Sequence, residues 1–137
     1  MSPEVIISKE YHFSAGHQLF REEWTLEKNI EVFGQCAYPH GHNYTLEVVV
    51  SGPINPETGM ILNYYTLNKI VSPIIDRLDH CEGTLNAVFA PELTTAENMI
   101  STIAGWIQSD LAARYDDIFL VQLILQETPK TKAVWLA

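Results

Sequence analysis

Residues 4–14 place Val5, Ile7, Lys9, Tyr11 and Phe13 on one face and Ile6, Ser8, Glu10, His12 and Ser14 on the other. That period of two predicts a β-strand. Ala15 and Gly16 are small enough to let the chain bend there and aim His17 inward. Residues 21–31 are polar with scattered apolar side chains, which predicts a mobile connection holding a helical turn. Residues 42–51 form a second strand, strongly β-prone through Val48, Val49 and Val50. Gly52-Pro53 and Asn55-Pro56-Glu57-Thr58-Gly59 are turn chemistry, after which Met60-Ile61-Leu62 resumes an extended apolar segment. The period then changes. Leu67, Ile70, Val71, Ile74, Ile75 and Leu78 recur as one face of a helix, and Pro73 inside it predicts a kink or break near Val71-Ser72. Thr94-Thr95-Ala96-Glu97 has the form of a capping box and starts a second helix, with Ile100, Ile103, Ala104, Ile107 and Leu111 on its buried side. Residues 118–126 predict a third strand, ending at Glu127-Thr128-Pro129, and residues 133–136 a fourth.

The order ββααββ predicts an α+β domain with a four-stranded antiparallel sheet and both helices on one face. The other sheet face and both edges then need cover, which oligomerisation supplies. A length of 137 residues without repeat or linker fits a single domain over residues 1–137. No apolar run approaches the roughly 18–20 residues of a membrane span, so no membrane contact is expected. Met1-Ser2-Pro3-Glu4-Val5 lacks a signal peptide's basic and apolar regions, which makes the cytoplasm the expected compartment. In that compartment the two cysteines, Cys36 and Cys81, stay reduced and have separate roles. The net charge of −9 argues against nucleic acid as a partner. An anionic ligand would need a local basic pocket drawn from eight lysines and arginines.

The chemistry concentrates in Cys36-Ala37-Tyr38-Pro39-His40-Gly41-His42-Asn43-Tyr44. In extended chain His40 and His42 point to the same side, with little bulk between them at Gly41. With His17 upstream they make three imidazoles. Three histidines with an open fourth position suit catalytic Zn2+, although spacing alone fits ordinary histidines equally well. Cys36 reads as a buried hydrophobe, as a fourth ligand closing a structural site, or as a base or nucleophile beside the metal. Asp79-His80 reads as a helix-terminal pair or as a carboxylate orienting a proton-relaying imidazole. Glu127 reads as a surface residue or as an acceptor for the amidine-like edge of a guanine or pterin ring.

Phe13-Ser14-Ala15-Gly16-His17 followed by Cys36-x-x-x-His40-Gly41-His42-Asn43-Tyr44 resembles the 6-pyruvoyl-tetrahydropterin and 6-carboxy-tetrahydropterin synthase family. Thr58-Gly59-Met60, Leu78-Asp79-His80, Thr94-Thr95-Ala96-Glu97-Asn98 and Gln126-Glu127-Thr128 continue the resemblance in order along nearly the whole chain. It implies a tunnelling fold whose sheets join into a barrel, with active sites between subunits of a homo-oligomer, usually a hexamer built as a dimer of trimers. It implies Zn2+ on His17, His40 and His42, and Cys36 as catalytic thiol with Asp79 and His80 as relay partners. It also implies Glu127 at the pterin ring, with Thr94 and Thr95 nearby. The implied substrate is 7,8-dihydroneopterin triphosphate. One branch of the family eliminates triphosphate and leaves a pyruvoyl side chain; the other releases acetaldehyde and gives 6-carboxy-tetrahydropterin, a precursor of queuosine. The three residues between Cys36 and His40 resemble the carboxy-forming enzymes, which is the branch expected here. The pyruvoyl branch is the alternative, followed by a non-catalytic zinc- or pterin-binding module or a zinc-dependent cyclohydrolase. Cys81-Glu82-Gly83-Thr84 departs from the family pattern by lengthening and acidifying the loop after His80. The cations available to a triphosphate include Arg21, Lys28, Lys130 and Lys132.

Overall fold

A computed structural model describes residues 4–137, so residues 1–3, where most of the leader expectation falls, lie outside it. Strand β1, Ile6–His17, pairs antiparallel with β2, His40–Ser51, in a register running unbroken from Ile6↔Ser51 to His17↔His40. Strand β3, Phe119–Thr128, pairs with β2, and β4, Thr131–Leu136, with β3. The sheet order is β1-β2-β3-β4, with every pair antiparallel. The expected bend at Ala15-Gly16 does not form. Gly16 and Gly41 oppose each other in the ladder, and a Cβ at Gly41 would stand 3.3 Å from the Ala15 carbonyl oxygen. Two glycines therefore let the strands stay paired to their ends, and alternation alone carries His17 to the face of Tyr11 and Phe13.

The segment read as a mobile connection is ordered instead. Helix α1, Leu26–Phe33, starts where Thr25 Oγ1 accepts the Lys28 N–H, and a 3₁₀ turn, Gly34–Ala37, leads on to β2. Asn29 holds it: the fully buried side chain donates to the Arg21 and Thr25 carbonyls and accepts the Arg21 N–H. Polar tethers of this kind carry no apolar period, so the pattern along the chain did not reveal the helix. Residues 60–62 are irregular rather than extended, though Ile61 and Leu62 are buried.

Helix α2, Tyr64–Leu78, runs through Pro73 without the expected break. Pro73 lies on the exposed side of the helix, away from the core. A short helix α3, Leu85–Phe89, anchored by buried Leu85 and Phe89, occupies the loop after it. Helix α4, Ala96–Arg114, is capped one residue later than the capping-box reading: Thr95 Oγ1 accepts the Asn98 N–H, which leaves Thr94 outside the helix. Helix α2 packs against β1, and α4 against β3 and β4. Leu67, Ile70, Ile103 and Ile107 there meet Leu46, Val48, Leu120 and Leu123 of the sheet in one core. Among the described residues no element covers the opposite sheet face, where Ile6, Phe119, Val134 and Leu136 are between 48% and 69% exposed. Among the described residues no helix is long and apolar enough to cross a membrane.

Candidate metal centre and active site

The paired ends of β1 and β2 bring the three histidines together on the helix-covered face. His17 and His40 are directly opposed in the ladder, and His42 follows two residues along. Ring centroids lie 4.5 Å apart for His17–His40, 5.0 Å for His40–His42 and 5.3 Å for His17–His42. One ring nitrogen from each falls within 4.8 Å of the others. Neither Cys36 nor Glu127 belongs to that donor set.

The protonation states suit a metal. The Nδ1 of His17 lies 3.0 Å from the Thr94 carbonyl oxygen, and that of His40 lies 2.8 Å from the Tyr38 carbonyl oxygen. A carbonyl can only accept, so Nδ1 is the donor in both rings and Nε2 is the nitrogen left for a ligand. Burial, reinforced by the neighbouring His40, holds the His17 pKa down at about 4, against the pull of the Thr94 carbonyl. Burial also lowers the pKa of His42, with Glu127 opposing. Neutral imidazole is the form that ligates. Among the described residues the buried Nε2 of His42 has no hydrogen-bond partner, and Glu127 Oε1 stands 3.8 Å from it. An orphaned buried nitrogen costs stability unless something occupies it. Three converging imidazole nitrogens, that of His42 orphaned, fit a divalent ion of zinc type.

The other residues singled out in the sequence fall on several elements. Cys36 is exposed on the 3₁₀ turn, whose position is pinned by the Leu19 N–H donating to the Cys36 carbonyl at 2.7 Å. Asp79 and His80 follow α2 on the free edge of β1. There Asp79 Oδ1 stands 2.9 Å from His80 Nδ1, and the His80 backbone takes the left-handed φ of 50°. A non-glycine residue in that region is held by its surroundings, commonly at functional sites. His80, Ser14, Gly16, Gly41, His42 and Asn43 border a cavity of about 360 Å³. Glu127 lies within β3, on the core-facing side of the strand with Leu123 and Leu125. A second cavity of about 330 Å³ beside it is lined by Ala96, Glu97, Thr131, Lys132 and Ala133. Thr94 is fully buried, with its hydroxyl 3.1 Å from His17 Nδ1, while the hydroxyl of Thr95 caps α4. Arg21 and Lys28 sit over the Trp24 ring at 5.4 and 4.2 Å.

Two groups at the centre escaped the sequence reading. The buried Tyr44 hydroxyl stands 3.5 Å from His17 Nε2, and burial with Glu127 nearby raises its pKa. Its place two residues beyond His42 on the same strand was a legible signal. The Tyr38 carbonyl had none, because its role depends on a backbone direction.

Comparison with known proteins agrees with this arrangement. Residues 6–136 match the family model described as 6-pyruvoyl tetrahydropterin synthase. The 6-pyruvoyl tetrahydrobiopterin synthase of Drosophila melanogaster is 36% identical over 132 residues, covering 93% of this chain and 77% of its own. The 6-carboxy-5,6,7,8-tetrahydropterin synthase of Bacillus subtilis is 28% identical, covering 94% and 83%. The structure of the Caenorhabditis elegans 6-pyruvoyl tetrahydropterin synthase superposes with a TM-score of 0.86 at 28% identity, covering 98% of this chain and 96% of that one. With sheet, helices and histidine cluster in place over a match of this extent, the chain belongs to the 6-pyruvoyl tetrahydropterin synthase family, a family of tetrahydropterin synthase lyases.

Proposed function

We propose that this chain is a zinc-dependent lyase that converts 7,8-dihydroneopterin triphosphate to 6-carboxy-5,6,7,8-tetrahydropterin, releasing acetaldehyde and triphosphate. The observation carrying the metal-dependent reading is the convergence of three imidazoles with no sulfur among them. His17, His40 and His42 would hold Zn2+, which when bound supplies Lewis acidity to the side-chain hydroxyls and so acidifies the neighbouring C–H bonds. The exposed Cys36 thiol takes and returns a proton on one face of that side chain. His80 moves protons on the other, its ring held by Asp79 at 2.9 Å. Glu127 accepts hydrogen bonds from the pterin's amino group and ring N–H, with the segment at Thr94 and Thr95 beside it. Lys132, lining the cavity next to Glu127, is a cation available to the triphosphate.

The three-residue spacing between Cys36 and His40, which resembles that of the carboxy-forming enzymes, supports that branch. The pyruvoyl-forming reaction is the second reading, favoured by identities of 30–38% with relatives named for it against 28–29% with carboxy-forming relatives. The bare sheet face supports assembly into a homo-oligomer, a dimer of trimers closing the sheets into a barrel. We place it in the cytoplasm, as a single domain over residues 1–137. The test is incubation of the zinc-loaded protein with dihydroneopterin triphosphate and mass spectrometry of the products. Acetaldehyde supports the first reading; a pyruvoyl-pterin with its carbons intact establishes the second. Zinc binding with neither product leaves a non-catalytic module, and turnover of GTP instead would identify a cyclohydrolase.

A further inference from the structure

Thr94 carries more chemistry than a residue beside a ligand pocket needs. It is fully buried, and its carbonyl and hydroxyl oxygens converge on one atom, His17 Nδ1, at 3.0 and 3.1 Å. The ring N–H is therefore forked between two acceptors. The hydroxyl hydrogen is then free to go elsewhere, and it points to the Gln18 carbonyl at 3.4 Å. Thr94 thus grips both the imidazole of His17 and the backbone just beyond it. Thr94 is itself held by the start of α4: Thr95 Oγ1 accepts the Asn98 N–H, and Asn98 Nδ2 donates to the Leu93 carbonyl at 3.0 Å. The backbone on both sides of Thr94 is thereby fixed before the ring is placed.

We infer that Thr94 is a positioning residue for the metal, its carbonyl fixing the tautomer of His17 and its hydroxyl holding the tilt of the ring so that Nε2 faces the ligand cluster. This rests on the metal-centre reading above and names a residue that reading leaves without a role at the metal. The physical reason is general: an imidazole with a rigid partner on its far nitrogen loses less orientational freedom on binding an ion, and its basicity rises. The His40 ring has one such acceptor, the Tyr38 carbonyl, on an exposed turn. His17 has two, in the interior. Thr94 is thus the side-chain hydroxyl on which the geometry of the buried ligand depends.

The experiment measures zinc affinity by chelator competition on the full chain for wild type, Thr94→Val, Thr94→Ala and Thr94→Ser. Two-bond proton–nitrogen spectra of the metal-free proteins follow the His17 Nδ1–H. Valine keeps the volume and removes the hydroxyl; alanine removes it with less crowding should valine fail to fold. The hydroxyl-less variants are expected to bind zinc about 10- to 100-fold more weakly, with the His17 Nδ1–H exchanging faster with water. Serine is expected to restore both. Wild-type affinity and an unchanged Nδ1–H signal in the valine or alanine variant would overturn the inference and leave Thr94 as packing, as would a serine variant no better than alanine. If wild type binds no zinc, the proposed function fails, while the Nδ1–H signal still decides whether Thr94 fixes the ring.

Discussion

Ser14 and Asp79 are joined across 65 residues by a hydrogen bond of 2.8 Å from the Ser14 backbone N–H to Asp79 Oδ1. The His80 N–H returns a bond of 2.7 Å to the Ser14 carbonyl. Together they occupy the free edge of β1 much as a neighbouring strand would, so the Asp79-His80 pair is referenced to the sheet that carries the histidines. Replacing Asp79 with alanine should remove both the anchor and the partner of the His80 ring. Turnover is expected to fall at least about 100-fold, the usual scale for a general acid or base. Zinc content, measured by plasma emission, should stay at the wild-type level.

The same bond predicts a pH dependence. The Ser14 N–H, and then the His80 ring, hold the Asp79 carboxyl below its ordinary value. A carboxyl depressed on folding favours its charged form in the folded chain. Its contribution is therefore complete above the unfolded value near 3.9 and is lost as pH falls through the lower folded one. Hydrogen exchange at the Ser14 amide should stay slow at pH 5 and quicken only below the ordinary carboxylate range. Quickening between pH 7 and 5 would show that the carboxylate is not the anchor.

Removing a ligand and removing the thiol should separate cleanly. His17→Ala, His40→Ala and His42→Ala are each expected to lose zinc. Cys36→Ala should keep one zinc per subunit and lose about 100-fold or more in turnover. A Cys36→Ala protein without metal would make sulfur a ligand and end the proposed proton role.

Thr95 tests the helix rather than the metal. Its hydroxyl accepts the Asn98 N–H at 3.1 Å at the start of α4. Thr95→Ala should lower stability by about 1 kcal/mol, read as a shift in the urea midpoint at unchanged slope.

Exposed apolar side chains on the bare sheet face predict assembly. Val134 and Leu136 on β4 are 48% and 69% exposed. Glutamates at both positions should reduce the particle mass measured by light scattering, because burying unpaired charges at an interface is costly. An unchanged mass would move the interface elsewhere.

Much of the fold was legible because its signals are periodic and local. Strand alternation at Tyr11 and Phe13 and helical spacing at Leu67, Ile70, Val71 and Ile74 survive in the core. Where prediction missed, the stabilising contacts were polar and specific. Asn29 buries its amide to hold α1, and the glycine pair Gly16↔Gly41 keeps β1 straight through the expected bend. A boundary shifted by one residue had the largest consequence at the site. Capping by Thr95 rather than Thr94 frees Thr94 to reach His17.

By itself the sequence determined the residue types and their spacing: two imidazoles two apart in a strand, a thiol four positions earlier, a carboxylate beside a histidine. These follow from backbone repeat lengths, which need no tertiary contact. Only the tertiary structure decided that His17 lies directly opposite His40, that Thr94 grips its far nitrogen, and that His42 is left with a buried, unpartnered Nε2. Those relations depend on strand register and on where α4 begins. Both emerge from the packing of residues far apart in the chain, and no local pattern encodes them.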